Sequence, residues 1–294
     1  MTKTIKIETH LTPPQKEPIR LQEYGVGIFT TLTTKSALKK ALKKKHILVD
    51  LKIASTATFI RGGETIYYNK PLEKSIKKNF KIDLEVVFQD DYLAIINKPA
   101  GILVSGNSFK TIDNALESNL TKSSLPDATK PRPVHRLDFP TTGLLVIGKT
   151  TASILLLNKL FENKEIAKTY LAVTQGVMPT EGSINTEVDN KVALSHYSVL
   201  NRIVSKKFKF LNLVKLTLTT GRKHQLRTHL AGIGNPILGD AQYGIAGQIV
   251  KGKGLYLHAY SLEFTHPFTN EKIKVTKELS TKYTKLFPSF LQNQ

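Results

Sequence analysis

His135-Arg136-Leu137-Asp138 is followed by Phe139-Pro140-Thr141-Thr142-Gly143 and then by the apolar run Leu144-Leu145-Val146-Ile147. The run reads as a buried strand. Its mouth therefore carries a charged pair, Arg136 and Asp138. Catalytic groups concentrate on loops held by a rigid scaffold, and burying a carboxylate without a partner is costly. Asp138 could simply pair with Arg136 or cap the Thr-Thr-Gly turn. A second basic cluster weighs against that, Gly221-Arg222-Lys223-His224-Gln225-Leu226-Arg227-Thr228-His229-Leu230. It follows a strand-like run and opens a helix. Helical spacing puts His224, Arg227 and Thr228 on one face and turns Leu226, Leu230 and Ile233 toward a core. Cations at a helix start oppose its dipole. They need an anion, either an RNA phosphate or a carboxylate such as Asp138.

Two other chemistries fit less well. His224 and His229 are five positions apart, a poor helical spacing for two metal ligands, and no acidic cluster lies nearby. A structural role is the reading for each, and no metal is expected. Gly143 to Thr150 satisfies the phosphate-loop pattern G-x-x-x-x-G-K-[ST] letter for letter. Such a loop needs a buried strand before it and a flexible path through it. Here polar and proline-interrupted residues come first, and the four loop positions, Leu, Leu, Val and Ile, favour strand. No hydrophobic run ending in Asp follows to hold magnesium. A strand is the expectation.

The elements that must hold these groups come from a chain of 294 residues, long enough for two domains. No apolar stretch reaches membrane-span length, and the first twenty residues lack the apolar region of a secretory signal. Cysteine is absent, which excludes disulfides and thiolate metal sites and fits an intracellular, cytoplasmic protein. The net charge is +20. Residues 1–81 hold 17 Lys and Arg against 6 Asp and Glu, so this basic N-terminal part carries +11 and the rest +9. That asymmetry is the footprint of a polyanion partner, with nucleic acid as the first candidate.

Residues 1–19 contain Pro13, Pro14 and Pro18 and no periodic pattern, and read as a loose arm. Residues 20–68 read as a small domain with one short helix from Leu21 to Phe29. A second helix, capped by Thr33 or Thr34, runs from about Lys35 to Lys45. Ala37, Leu38, Ala41 and Leu42 form its apolar face, and six lysines, Lys39, Lys40, Lys43 and Lys44 among them, line the rest. A strand over Ile47–Val49 and a turn at Arg61–Glu64 follow. Residues 69–83 read as a basic linker and residues 84–294 as the larger domain. Strands are expected at Glu85–Phe88, Tyr92–Ile96, Gly101–Val104, Phe208–Thr219 and Leu255–Phe264, and helices at about Ile112–Leu120 and 151–164. The mixture lacks a βαβ rhythm, which points to an α+β fold.

The small domain resembles the α-L RNA-binding module of a small-subunit ribosomal protein and of many RNA-modifying enzymes. Those modules usually carry Asn-Gly in a hairpin where this chain has Asp50-Leu51. Leucine does not readily take positive φ, which argues against a two-residue type I′ turn here. The larger domain resembles the RluA-like pseudouridine synthases. His135 to Asp138 with Thr141-Thr142-Gly143 is similar to their signature loop, with Thr142 where the family has Ser. Ala167-Lys168-Thr169-Tyr170-Leu171-Ala172-Val173 resembles their second motif and Gly221 to Leu230 their third. Asn97-Lys98-Pro99-Ala100-Gly101 and Gly239-Asp240-Ala241-Gln242-Tyr243-Gly244 match further segments.

The resemblance implies a mixed, mainly antiparallel sheet flanked by helices around a central RNA-binding cleft. It also implies a cofactor-free isomerisation of uridine in RNA, in which the N-glycosidic bond breaks, the uracil turns and C5 joins the ribose. Asp138 would be the catalytic carboxylate, Tyr170 the stacking face for uracil and Arg227 the cation that keeps Asp138 ionised. Arg136 would fill the space left by the flipped nucleotide, while Lys168 and Arg222 would touch phosphates. Ribosomal RNA, of the large subunit, is the first expected substrate and transfer RNA the second, with no obligate protein partner implied. A non-catalytic RNA-binding protein on this fold would not need Asp138.

Overall fold

The computed structural model describes residues 5–29, 32, 34–71, 80–250 and 252–288. The chain separates into two compact units, Met1–Lys78 and Asn79–Gln294. Most of the basic connector expected over 69–83 lies outside the described residues.

In the first unit the elements run β1 (Ile5–Leu11), β2 (Ile19–Arg20), α1 (Leu21–Tyr24), α2 (Lys35–Lys43), β3 (Ile47–Val49), β4 (Lys52–Ile53), β5 (Phe59–Ile60) and β6 (Thr65–Pro71). Thr34 caps α2, its hydroxyl accepting the amide of Ala37 at 3.2 Å. Leu38, Ala41 and Leu42 are buried with Leu21, Ile47 and Ile66, and the lysines are turned out.

Three expectations need correction here. The loose arm at 1–19 contains a strand: β1 pairs antiparallel along β6 from Ile5–Pro71 to Leu11–Thr65, which satisfies its backbone groups. Helix α1 stops at Tyr24, a single turn, because Gly25 follows as its C-cap. The two-residue turn does form, with Asp50 at φ 45° and Leu51 at φ 66° between the paired Val49 and Lys52. Asp50 fixes it from outside, donating its amide to Thr65 O at 3.0 Å and accepting the Thr65 amide on its carboxylate at 2.8 Å. Those bonds offset the left-handed backbone of Leu51, which costs about 1–2 kcal/mol.

The second unit runs β7 (Glu85–Gln89), β8 (Leu93–Lys98), α3 (Ile112–Asn119), β9 (Ala128–Pro133), β10 (Thr142–Thr150), α4 (Thr151–Glu162), β11 (Ala167–Gln175), β12 (Glu181–Ile184), β13 (Ser195–Ser205), β14 (Lys209–Leu218), α5 (Gln225–Gly232), β15 (Leu257–Thr265), β16 (Lys272–Thr276) and α6 (Thr281–Thr284). One mixed sheet dominates it, in the order β12-β13-β14-β11-β15-β10-β8-β7, with β16 on β15 and β9 on β10. Among the described strands of this sheet only the β10–β15 pair, Thr142–His258 and Gly143–Ala259, is parallel. The segment Gly101–Val104, expected as a strand, is instead irregular, joined to the rest by a bridge between Leu103 and Thr111. The positive φ of Gly101, 78°, breaks the extended path at its start.

Strand β10 explains the phosphate-loop look-alike. Leu145 and Ile147 enter one apolar cluster, with Ala94 and Ile96 of β8. Leu144 and Val146 enter the other, with Leu93 and Ile95. A strand buried on both faces reads as an unbroken apolar run. Lys149 is buried and donates to the carbonyl of Asp90, and Thr150 caps α4 by accepting the Ser153 amide. Neither is available to a nucleotide.

Candidate active site

The Asp138 loop is held from below. Leu137 is buried, so Arg136 and Asp138 on either side of it face outward. Gly143, the second residue of β10, sits at φ 111°, where a Cβ would lie 2.3 Å from Ala259 O. Only glycine allows β10 to lie this close to β15. Lys98, fully buried at the end of β8, donates to three carbonyls, Thr141 at 2.8 Å, Pro99 at 2.9 Å and Phe139 at 3.3 Å. Burial lowers its amine to about 8, against the pull of Asp138 in the other direction. His135 accepts the Val146 amide on Nε2 at 2.9 Å and stacks on Phe161. Burial, helped by Lys168, pushes that imidazole down to about 3. A third clamp is Thr142, whose hydroxyl meets His258 Nδ1 at 2.8 Å while His258 Nε2 donates to Lys277 O at 2.9 Å.

Above this loop lies a cleft of about 930 Å³. Asp138, Tyr170, Arg227, Arg136, Lys168 and Arg222 all line it. Arg227 Nη1 donates to Asp138 Oδ2 at 3.3 Å. Tyr170, on β11, is 9% exposed, and burial with the nearby Asp138 charge raises its phenol well above the ordinary value. It stays a neutral, flat wall. Arg136 is exposed at the rim. Lys168 is half-buried, with its ammonium 5.5 Å over the Phe161 ring and its pKa lowered by burial. Arg222 is exposed and anchored by a bond from Nε to Val192 O at 3.1 Å. Lys39, Lys40, Lys43 and Lys44 belong to the first unit, exposed along α2 and at its C-cap.

The sequence reading missed the carboxylate that matters most to Arg227. Asp240 takes Nε at 2.7 Å and Nη2 at 2.9 Å, leaving only Nη1 for Asp138. Asp240 is 2% exposed. Burial would push it up, but Arg227 and the amides of Tyr243 and Gln242 outweigh that and hold it below the ordinary carboxylate range. The same bonds outweigh burial at Arg227 and raise its pKa. The signal in sequence was one carboxylate in Gly239-Asp240-Ala241, thirteen positions from Arg227.

Two helix assignments also change. His224 is not a structural core residue: it caps α5 at φ 57°, lines the cleft and places Nε2 3.7 Å from Asp138 Oδ1. It therefore stands outside the helical face it was expected to share with Arg227 and Thr228. Ile233, expected in the core, is the C-cap of α5 and 40% exposed. His229, by contrast, is fully buried between Ser195 Oγ and Thr186 O, each at 2.9 Å. Among the described residues no cluster of His, Asp and Glu could hold a metal ion.

With this geometry in hand, comparison with known proteins is specific. Residues 92–232 match the family model described as RNA pseudouridylate synthase. Ribosomal large subunit pseudouridine synthase C of Rickettsia conorii is 31% identical over 297 residues, covering 90% of this chain and 95% of that protein. Ribosomal large subunit pseudouridine synthase D of Nitrosomonas europaea is 32% identical over 265 residues, covering 81% of this chain and 75% of that one. Among solved structures, human RNA pseudouridylate synthase domain containing 4 superposes with a TM-score of 0.56 at 26% identity, over 68% of this chain and 90% of its own.

Proposed function

The chain belongs to the RluA family of pseudouridine synthases, enzymes that isomerise uridine to pseudouridine, and on that premise we propose that Asp138 acts on the ribose of a uridine in large-subunit ribosomal RNA. The observation that carries the reading is the grip on Asp138. One donor of a buried Arg227 holds Oδ2, and Asp240 holds the rest of that guanidinium still. The carboxylate is thereby held beside a cation, yet its side chain remains 23% exposed to the cleft. An oriented and accessible carboxylate is what attack on, or proton removal from, a ribose requires.

The target base sits inside folded RNA and must leave its stack to reach Asp138. Tyr170 offers the flat wall against which uracil lies, and Arg136 at the rim takes the space vacated. The glycosidic N1–C1′ bond breaks, the uracil turns within the cleft, and C5 bonds to C1′. The hydrogen on C5 leaves as a proton and N1 gains one, so no atom is added and no oxidant is needed. Lys168 and Arg222 meet the phosphates beside the base. The α-L-like unit adds affinity through Lys39, Lys40, Lys43 and Lys44 on α2. Large-subunit ribosomal RNA is favoured because it is what the relatives' names specify, and a substrate of that kind suits a cytoplasmic location. Among the described residues no helix is long and apolar enough to cross a membrane.

The test is release of tritium from C5-labelled transcripts. The wild-type protein should release it from fragments of large-subunit ribosomal RNA and not from transfer RNA, and Asp138→Asn should release none. Release from transfer RNA alone would overturn the substrate. Release by Asp138→Asn would overturn the role of the carboxylate.

A further inference from the structure

Asp138 has two oxygens, and Arg227 accounts for only one. The imidazole of His224 faces the other, Oδ1, at 3.7 Å. This placement is built. His224 is a non-glycine residue in left-handed backbone at the N-cap position of α5, just outside the helix, and its side chain makes no capping bond. Caps of this kind are normally chosen for such a bond. Here the ring leaves the helix and meets the Tyr243 hydroxyl through Nδ1 at 2.9 Å. The Tyr243 oxygen in turn accepts Gln242 Nε2 at 3.2 Å, so its own hydrogen is free to go to Nδ1. The proton of the neutral ring then sits on Nε2, aimed at Asp138. The opposite tautomer would put a lone pair against a carboxylate. Burial, opposed by Asp138 but helped by Arg227 and Lys223, lowers the pKa of the ring below its ordinary value, which favours the neutral form.

We propose that His224, held in its Nε2–H form by Tyr243, is a positioning residue that orients the Oδ1 side of Asp138 toward the ribose. This rests on Asp138 being the catalytic carboxylate. At 3.7 Å the approach is too long to occupy a lone pair. It biases the carboxylate's rotation and leaves Oδ1 free to react. Arg227 and His224 thus hold the carboxylate from two sides, and both depend on the Asp240–Tyr243 segment.

Tyr243→Phe is the informative variant. It keeps the ring that lies 5.0 Å from the Arg227 guanidinium carbon and removes only the hydroxyl. At saturating RNA its kcat should fall about 3- to 10-fold, the worth of one hydrogen bond, with KM unchanged. His224→Asn should lose at least as much, since asparagine tolerates this backbone but cannot reach as far. In the double variant the Tyr243→Phe change should add nothing further. Nitrogen NMR of the histidine rings, recorded without RNA, should give the Nε2–H tautomer for His224 in wild type and a mixture in Tyr243→Phe. A wild-type Nδ1–H tautomer, full kcat in Tyr243→Phe, or fully additive losses would each overturn the proposal. None of these depends on the activity of Asp138→Asn, so failure of the carboxylate's role and failure of this positioning are read separately.

Discussion

The cleft around Asp138 and the face of α2 are both strongly basic, and they hold their cations in opposite ways. In the cleft, Arg227 is 5% exposed and each of its donor nitrogens has a carboxylate oxygen. On α2, Lys39, Lys40 and Lys43 stand exposed around a buried stripe of Leu38, Ala41 and Leu42. Among the described residues Lys35 is the lysine of that helix that pairs closely, with Glu23 at 2.5 Å. A fixed, desolvated charge can set the geometry of one reacting group. A mobile, hydrated charge can only add attraction to a polyanion, and loses it to salt. The difference predicts that changes in the cleft act on turnover and stability, whereas changes on α2 act on affinity.

The sharpest break is Arg227→Lys. A lysine cannot bond Asp240 twice and still offer a donor to Asp138. We expect turnover to fall at least about 100-fold and stability to drop by about 3–5 kcal/mol, the usual consequence of leaving a buried ion pair incomplete. Denaturant midpoints and single-turnover rates check both. A lysine variant as active and stable as wild type would show that the Asp240–Arg227–Asp138 chain is incidental.

The cleft's clamps also titrate. His258 is held at about 4 by burial and His135 at about 3, both below the ordinary 6.5. Each accepts a hydrogen bond that a protonated ring would lose. Because the folded pKa is depressed, the unfolded chain binds the proton first as pH falls. Stability is therefore complete above about pH 6.5 and declines toward pH 4, by up to about 1.4 kcal/mol per pH unit for each histidine. His258→Asn should remove one share of that slope. Parallel slopes for variant and wild type would mean that His258 does not clamp Thr142.

Lys98→Met tests the clamp beneath the loop with a smaller expected effect. Methionine fills the space but takes the lysine donor from the carbonyls of Thr141 and Pro99, while Phe139 O keeps the amide of Gly101, a loss of about 1–3 kcal/mol. Turnover should fall more than RNA affinity. Affinity falling with turnover intact would place Lys98 in RNA binding and blur the contrast. The mildest change is on α2. Replacing Lys39, Lys40, Lys43 and Lys44 with Gln should weaken binding and flatten its salt dependence by roughly 0.7–0.9 in log–log slope for each phosphate that is no longer neutralised. Saturated turnover on a short substrate should hold. An unchanged affinity and slope across a salt series would make α2 a merely solvated face.

The same division explains what could be read from the sequence. Asp138 was legible because its loop, its buried anchor Leu137 and the run Leu144 to Ile147 are contiguous. The strand reading of that run was sound for the reason that made the phosphate-loop match empty: Leu144 and Leu145 bury on opposite faces. Asp240 was not legible as a partner, because the pairing with Arg227 is made by a loop closing over α5. His224 was misread because helical spacing assumes helical backbone, and its φ of 57° puts it outside the helix. Leu51 was misjudged by local propensity, which the Asp50–Thr65 bonds override. The strand at Ile5–Leu11 needed β6, more than fifty residues away, to exist at all.

The most direct test of the account is a single-turnover comparison of wild type and Asp138→Asn on the same C5-tritiated ribosomal RNA fragment, with affinity measured on the same samples. The substitution keeps size and shape and removes the charge. The account predicts that affinity stays within a few-fold of wild type while tritium release falls to background. Release at anything near the wild-type rate would contradict it, because the carboxylate that Arg227 and Asp240 are arranged to hold would then not be the group that reacts.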